Sequence, residues 1–349
     1  MTLAQRHIKI VFMGLALCVA HGLLGQTSQV GTRIEQGYLF DQSGLFYIKG
    51  VCYHPVAVGR KTRSFERLNE DLVLMKQAGI NAIRVYEPID DLSVLDAIYQ
   101  SGIKVIMGFG YDQNGYYDLR SGTYLDYVKR FKDHPAILFW ELGNEYNFNP
   151  QWFGGTLDLW YDTLANAVDA IHGEDPNHPV ASAHGEVPEP EVFEKLDAID
   201  LWGMNVYRWD ESYKALEAFS KRSDKPVYFS ELGADSYMTN ERLGYAKGPN
   251  QRAQADATEK ILKAIMIPES RSAGVAVFSF TDGWWKAGHP ERQDVGGWAP
   301  GSSGVPYDAT ANEEYWGIVD IDRKKKLVYG VIQEIFKDYS GPKVKPQSK

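Results

Sequence analysis

The sequence predicts a single α/β domain folded as a (β/α)8 barrel, with a short N-terminal lead-in and a long, aromatic-rich connection between the eighth strand and the eighth helix. Eight short apolar runs alternate with amphipathic segments over about 290 residues, close to the ~250 residues usual for such barrels. The competing fold, an open doubly wound sheet, would place a Gly-rich phosphate turn after the first strand, whereas this chain has Val51-Cys-Tyr-His-Pro55 there.

The elements follow from the periodicity of the apolar residues. The predicted strands are Phe46–Val51, Ala82–Val85, Lys104–Met107, Ile137–Trp140, Pro179–Ala181, Leu201–Met204, Val227–Phe229 and Gly274–Phe278. The predicted helices are Phe65–Ala78, Leu92–Gln100, Tyr124–Lys132, Leu157–Ile171, Tyr213–Ser220, Ala253–Met266 and Val331–Tyr339.

Four regions are predicted along the chain. Residues 1–25 read as a signal peptide, 26–45 as a lead-in with a small hairpin, 46–340 as the catalytic barrel and 341–349 as a disordered tail. With 349 residues, 44% of them hydrophobic, one large core or two smaller ones are possible. No interdomain linker separates two halves, so we expect one domain.

The N-terminus has the pattern of an export signal. Arg6 and Lys9 precede the apolar run Ile10–Ala20, which is too short to favour a membrane span, and cleavage is plausible after Gly25. Cys18 raises the alternative of a lipid anchor, which Leu17 before it disfavours. We therefore expect an exported protein, periplasmic or extracellular. Cleavage would leave Cys52 alone and exclude an internal disulfide.

The charge balance and the missing motifs limit the function. A net charge of −9 argues against nucleic acid and anionic lipid as partners. His172, His178 and His184 lack metal-ligand spacing, and there is neither a serine-nucleophile elbow nor a phosphate loop. We expect no metal and no cofactor.

Polar and aromatic residues gather at the predicted C-terminal ends of the strands, where barrels of this kind carry their active sites. These residues are Tyr53 and His54, Arg84 and Tyr86, Phe109 with Tyr111, Asn144 and Glu145, His184, Asn205 and Tyr207, Glu231, and Trp284 with Trp285. Either histidine alone is more often structural than catalytic. The set as a whole predicts an active site.

Glu145 and Glu231 each follow a buried strand, and a pair of carboxyl groups is what glycosidic bond cleavage requires. One must be protonated and the other ionised, so their environments must differ. Arg84 is suited to keep one Glu ionised, and Tyr207 to donate a hydrogen bond to the same group. Asn144 suits recognition of a sugar hydroxyl. Glu141 rivals Glu145 as the acid, but it lies deeper in the strand, where it would tie the barrel interior together.

Aromatic residues beyond the strand ends predict a groove in which rings stack on sugar faces. They are Tyr111, Tyr116 and Tyr117 after strand three, Tyr146, Phe148, Trp152 and Phe153 after strand four, and Trp284, Trp285, Trp298, Tyr307 and Tyr315 in the connection Thr281–Trp316. About half of them are expected only to pack the loops onto the barrel.

The motifs resemble those of clan A retaining β-glycosidases, which place Asn-Glu after strand four and a nucleophilic Glu after strand seven. The resemblance implies that Glu145 is the acid/base and Glu231 the nucleophile, with Arg84, Asn205 and Tyr207 in supporting positions. Within the clan, the segments Ile48–Tyr53, Asn81–Tyr86, Asp200–Tyr207 and Pro226–Gly233 look most like fungal β-1,3-glucanosyltransferases. The segment Trp316–Asp322 fits both that family and the catalytic domains of the β-galactosidase/β-glucuronidase family. The fungal enzymes are rich in disulfides and this chain is not.

The resulting expectation is an exported retaining β-glycoside hydrolase, with possible transglycosylase activity, whose partner is an oligo- or polysaccharide, most favourably a β-1,3-glucan. Two alternatives stay open. One is an exo-acting enzyme similar to β-galactosidase or β-mannosidase. The other is a carbohydrate-binding protein that has lost catalysis.

Overall fold

The structure is a computed structural model that describes residues 31–110, 117–295, 298–300 and 310–344. The predicted signal peptide, Tyr111, Tyr116, Tyr307 and residues 345–349 of the predicted tail lie outside these ranges. Among the residues that are described, no helix is both long and apolar enough to cross a membrane.

Eight parallel strands close into a barrel in which each pairs with its sequence neighbours and β8 pairs with β1. The strands are β1 Ile48–Cys52, β2 Ala82–Val85, β3 Lys104–Phe109, β4 Ile137–Asn144, β5 Val180–Gly185, β6 Leu201–Asn205, β7 Val227–Leu232 and β8 Ser272–Val277. All eight were predicted, so the (β/α)8 fold is confirmed. β4, β5 and β7 continue several residues beyond their apolar cores, because polar residues at their ends still pair with neighbouring strands.

Eight α-helices lie among the described residues. They are α1 Leu68–Ala78, α2 Leu92–Gln100, α3 Tyr124–Phe131, α4 Leu157–Glu174, α5 Pro190–Lys195, α6 Tyr213–Arg222, α7 Gln251–Ile265 and α8 Leu327–Asp338. The periodicity located all of them except α5, whose six residues are too few to show a helical period. Side-chain caps mark where α2 and α4 begin, since Asp91 accepts the Ser93 N–H and Thr156 accepts the Leu159 N–H.

The lead-in closes one end of the barrel. It forms three short antiparallel strands, Arg33–Glu35, Tyr38–Asp41 and Gly44–Leu45. Leu39 is fully buried and belongs to the apolar cluster that fills the barrel at the N-terminal ends of its strands, together with Ile48 and Leu138. Apolar side chains thus fill the barrel interior at that end, and barrels of this kind carry their active sites at the C-terminal ends of the strands.

The end of β8 differs from the prediction. The strand stops at Val277, one residue before the predicted end, and Trp284 and Trp285 lie in the long connection to α8, within the segment Thr281–Trp316 to which the sequence analysis assigned them. In this connection Trp298–Pro300 pairs with Thr310–Asn312 as two short antiparallel strands. The residue that β8 delivers to the C-terminal end of the barrel is Phe278, which packs against Trp316.

Candidate active site

Backbone geometry at the end of β4 presents Glu145. Gly143 has a φ of +73°, and a Cβ there would lie 2.5 Å from the ring of Trp160, so only glycine fits. Glu145 itself has a φ of +56°, a left-handed conformation that costs a non-glycine residue about 1 kcal/mol or more. This turn brings the carboxyl group of Glu145 within 3.0 Å of Asn205 Nδ2 at the end of β6.

Glu231, near the end of β7, is buried and faces three hydrogen-bond donors. Its Oε1 accepts from Arg84 Nη1 at 2.8 Å and from the Tyr86 hydroxyl at 2.7 Å. Its Oε2 accepts from the Tyr207 hydroxyl at 2.7 Å. An ionised carboxylate only accepts hydrogen bonds, so the geometry of these three donors matches a carboxylate at this position.

Arg84 connects site residues of β4 with Glu231 on β7. Besides Glu231, it donates from Nε to Glu141 at 2.6 Å and from Nη2 to Asn144 Oδ1 at 2.9 Å. Glu141 also accepts a hydrogen bond from Tyr228 and is 1% exposed. Glu141 therefore ties the barrel interior together, as the sequence predicted, and its contacts leave Glu145 as the carboxyl group nearer the open end.

The pKa of Glu145 is raised from 4.5 to about 7. Burial is the largest cause, and the negative charge of Glu231 adds to it, while the hydrogen bond from Asn205 opposes both. A carboxyl group in this environment holds its proton near neutral pH, which a general acid requires. The two predicted carboxyl groups thus share one site and have different environments.

A hydrogen bond from Ser230 fixes the orientation of the Asn205 amide group. Ser230 donates its hydroxyl to Asn205 Oδ1 at 2.7 Å, so the amide nitrogen points the other way. That nitrogen lies 3.0 Å from both Asn144 Oδ1 and Glu145 Oε1. Asn144 is consequently an acceptor for Arg84 and Asn205, and its amide hydrogens stay available for a ligand.

The structure does not bring Tyr53 or His184 to the carboxyl pair. Tyr53 is fully buried and donates to Asp71 on α1 at 2.8 Å. Side chains alternate along a strand, and because Cys52 faces the barrel interior, with Sγ 3.3 Å from the Ser230 carbonyl, Tyr53 must face the helices. The prediction of Tyr53 as a substrate-binding residue was wrong.

His184 also has a structural environment. Its ring nitrogens lie 3.3 Å from the Tyr161 hydroxyl on α4 and 3.2 Å from the Glu186 carbonyl, and its ring packs on Trp202. Burial lowers its pKa to about 4. These contacts place it behind the site, as the more common structural role of a lone histidine indicates.

His54 and Trp285 border the site as predicted. The His54 ring lies 5.0 Å from that of Trp285 and 6.4 Å from that of Tyr86, which bonds Glu231. Burial, with the charges of Arg63 and Lys286, lowers the pKa of His54 to about 3, so the ring is neutral at neutral pH. Trp284 is half-buried in the same connection.

The groove aromatics divide, as expected, into packed and exposed rings. Tyr146 and Phe153 are buried against Trp160, and Tyr315 is buried against Tyr237. Phe148 is 57% exposed and remains a candidate platform for a sugar ring. The side chains of Trp152 and Trp298 are outside the described part of the chain.

Several residues near the site were not predicted from the sequence to belong to it. Phe278 and Trp316 surround the ring of Tyr207, at 6.4 and 5.1 Å between ring centroids. Lys286 and Glu313, from the connection between β8 and α8, form an ion pair of 2.7 Å. No metal-binding group of three or more His, Cys, Asp or Glu residues occurs in the described ranges.

A family model described as "Glycosyl hydrolases family 2, TIM barrel domain" matches residues 33–255. A probable mannan endo-1,4-beta-mannosidase F of Aspergillus flavus is 26% identical over 185 residues, covering 45% of this chain and 39% of that protein. The 1,3-beta-glucanosyltransferase GAS4 of Saccharomyces cerevisiae is 23% identical over 243 residues, covering 57% of this chain and 51% of that protein.

Solved structures with the same fold include a beta-glucuronidase of Faecalibacterium prausnitzii, at 19% identity and a TM-score of 0.66. Another is a GH2 beta-galacturonidase of Eisenbergiella tayi bound to galacturonate, at 20% identity and a TM-score of 0.64. The match covers 90% of this chain in both cases, and 52% and 55% of those chains. The chain therefore spans about half the length of the proteins it resembles, or less.

Proposed function

Because the chain belongs to glycosyl hydrolase family 2 through its TIM barrel domain, we propose that it is a retaining β-glycoside hydrolase. In this proposal Glu231 is the nucleophile and Glu145 the acid/base. The observation that carries it is the difference between the two carboxyl groups. Glu231 accepts from Arg84, Tyr86 and Tyr207, whereas Glu145 is half-buried and its pKa is raised to about 7.

The reaction would proceed by double displacement. Glu231 attacks the anomeric carbon while the bond to the leaving oxygen breaks, and Glu145 gives that oxygen its proton. In the second step Glu145 takes a proton from water, and the resulting hydroxide oxygen bonds the anomeric carbon and releases Glu231 as a carboxylate. A sugar hydroxyl in place of water would give transfer.

For the substrate we propose a β-glucan, with the β-1,3 linkage favoured. The segments around Tyr53, Tyr86, Tyr207 and Glu231 resemble those of β-1,3-glucanosyltransferases, and the similarity to the yeast enzyme supports the same substrate. A second candidate is β-1,4-mannan, which the similarity to the Aspergillus mannosidase favours. The paired Glu145 and Glu231 argue against a barrel that has lost catalysis.

The test incubates the purified protein with reduced laminari-oligosaccharides and, separately, with manno-oligosaccharides, and follows product lengths by mass spectrometry. Longer laminari-oligosaccharides would establish transfer, and shorter ones alone hydrolysis. Cleavage only of manno-oligosaccharides would contradict the β-glucan proposal and indicate mannan as the substrate. Glu231→Gln should abolish turnover, whereas Glu259→Gln on α7, which removes an exposed carboxylate paired with Lys263, should not. Equal turnover by Glu231→Gln and the parent would contradict the mechanism.

We also propose that the protein acts outside the cytoplasm, on the evidence of the pattern in residues 1–25. N-terminal sequencing of protein purified from the native host tests this. A mature chain beginning near Gln26 supports export, and an intact N-terminus in the cytoplasmic fraction contradicts it.

A further inference from the structure

The ion pair between Lys286 and Glu313 lies against residues that pack around the carboxyl pair. Lys286 Nζ lies 4.3 Å from the centroid of the Phe278 ring, and Phe278 packs on Tyr207, which bonds Glu231. The charge of Glu313 contributes to the raised pKa of Glu145. The side chains of Lys286 and Glu313 remain 24% and 32% exposed, so both charged groups are partly accessible to solvent.

The other cations near this site also have partners, and Arg208, next to Tyr207, is paired with Glu186 while 37% exposed. Arg84 is 1% exposed and is used by Glu141, Glu231 and Asn144. Arg63, whose charge reaches His54, has Nη1 and Nη2 each 2.6 Å from a backbone carbonyl, those of Glu87 and Pro88. His54, as shown above, is neutral.

The internal stretches outside the described ranges contribute no alternative cation. Residues 111–116, 296–297 and 301–309 contain neither Lys nor Arg. Lys286 and Arg208 are thus partly exposed cations near the described site. Lys286 lies in the connection after β8, and its charge is matched by Glu313 at 2.7 Å.

We propose that Glu313 determines the substrate class: by neutralising Lys286, it makes the site select an uncharged sugar ring and reject a uronic acid. This inference rests on the proposed function. A uronate carboxylate entering the site needs an unpaired cation to replace its hydration, and it would instead meet Glu313 and Glu231. The hydroxyl groups of a neutral sugar can both accept from Lys286 and donate to Glu313.

Binding of a matched pair of inhibitors tests the proposal without requiring turnover. Deoxynojirimycin and its uronic counterpart differ in carrying a hydroxymethyl group or a carboxylate, and calorimetry gives the affinity of each. We expect the parent protein to bind the uncharged inhibitor at least tenfold more tightly. Glu313→Gln, which frees Lys286, should reduce this preference at least tenfold, mainly through tighter binding of the uronic form.

Control variants separate the charge of Glu313 from its bulk. Glu313→Asp keeps the charge and should keep the preference, as should the distant Glu259→Gln. Adding Lys286→Met to Glu313→Gln should remove the gain in uronate affinity, because the freed ammonium group is its source. If Glu313→Gln does not fold, Glu313→Ser serves the same comparison.

A parent protein that binds neither inhibitor, or prefers the uronic form, would overturn the proposal, as would an unchanged preference in Glu313→Gln. Turnover of nitrophenyl β-glucoside, β-galactoside, β-mannoside, β-glucuronide and β-galacturonide separates the two conclusions. Selective binding of the uncharged inhibitor without any turnover would contradict the proposed hydrolase function but would agree with the proposed role of Glu313. Turnover of a uronide at the rate of the best neutral glycoside would contradict the proposed role of Glu313 but would agree with the hydrolase function.

Discussion

Arg84 Nη1 lies 2.8 Å from Glu231 Oε1, and the two side chains are only 1% and 7% exposed. The same guanidinium also neutralises Glu141, which is equally buried. One guanidinium group is therefore the ion-pair partner of two carboxyl groups in a region that excludes water. Removing a partner from a buried ion pair costs much more than removing one at the surface, because the remaining charge stays buried without compensation.

Arg84→Met should therefore destabilise the fold by at least 3–5 kcal/mol and abolish turnover. Denaturant unfolding followed by fluorescence would measure the first effect. The matched control is Arg130→Met, which breaks an exposed pair with Asp90 and should cost no more than about 1 kcal/mol. Similar losses in the two variants would show that Arg84 is not the buried counter-ion described above.

The pH dependence of kcat/KM should report the protonation of Glu145. As the proposed general acid it would act in its protonated form, and its pKa is about 7, so activity should fall as the pH rises through about 7. A substrate whose leaving group needs no protonation should lose this alkaline limb. An alkaline limb unaffected by the leaving group would assign the titration to another residue.

Glu145 should also make stability depend on pH. Its pKa is raised on folding, so its stabilising effect is complete below the unfolded value of 4.5 and is lost as the pH rises through about 7. At 1.36 kcal/mol per unit, the loss is up to about 3 kcal/mol. Glu145→Gln, which cannot ionise, should raise the melting temperature relative to the parent at pH 8 more than at pH 5. An equal effect at both pH values would contradict the raised pKa.

Tyr53→Phe tests the structural role that the contacts of Tyr53 indicate in place of the predicted substrate-binding one. The lost hydroxyl bonds Asp71, which still holds Arg323 at 2.7 and 3.0 Å, so we expect a loss of about 1–2 kcal/mol in unfolding free energy. The kcat/KM should stay within about twofold of the parent, whereas Tyr86→Phe, which removes a donor to Glu231, should lower it by more than tenfold. A large loss of activity in Tyr53→Phe would return this residue to the site.

The barrel could be predicted because alternation of apolar runs and amphipathic segments is a local property of the sequence. The positions of Arg84, Glu145, Asn205, Tyr207 and Glu231 followed, since the C-terminal ends of parallel strands meet. Tyr53 was misplaced because the predicted strand ended at Val51, whereas β1 runs to Cys52. The direction of a side chain reverses at each residue, so its face cannot be read from an approximate strand end.

The contacts made by the long connection after β8 could not be predicted from local sequence patterns. Lys286 and Glu313 are separated by 27 positions, and no periodic pattern links them, so their pairing depends on how the whole connection folds. Phe278 was read as the last residue of a strand, whereas it is the residue on which Tyr207 and Lys286 pack. Sequence patterns located the carboxyl groups and their hydrogen-bond partners at the strand ends, but not the contacts made by Phe278, Lys286 and Glu313.

The most direct test of the mechanism is to trap the covalent intermediate. The protein would be incubated with 2-deoxy-2-fluoro-β-glycosyl fluorides of gluco, galacto and manno configuration, digested, and mapped by mass spectrometry. We expect one added fluorosugar, carried by Glu231 and absent from Glu231→Gln. A label on Glu141 or Glu145, or cleavage of the corresponding β-glycoside with inversion at the anomeric carbon, would contradict it.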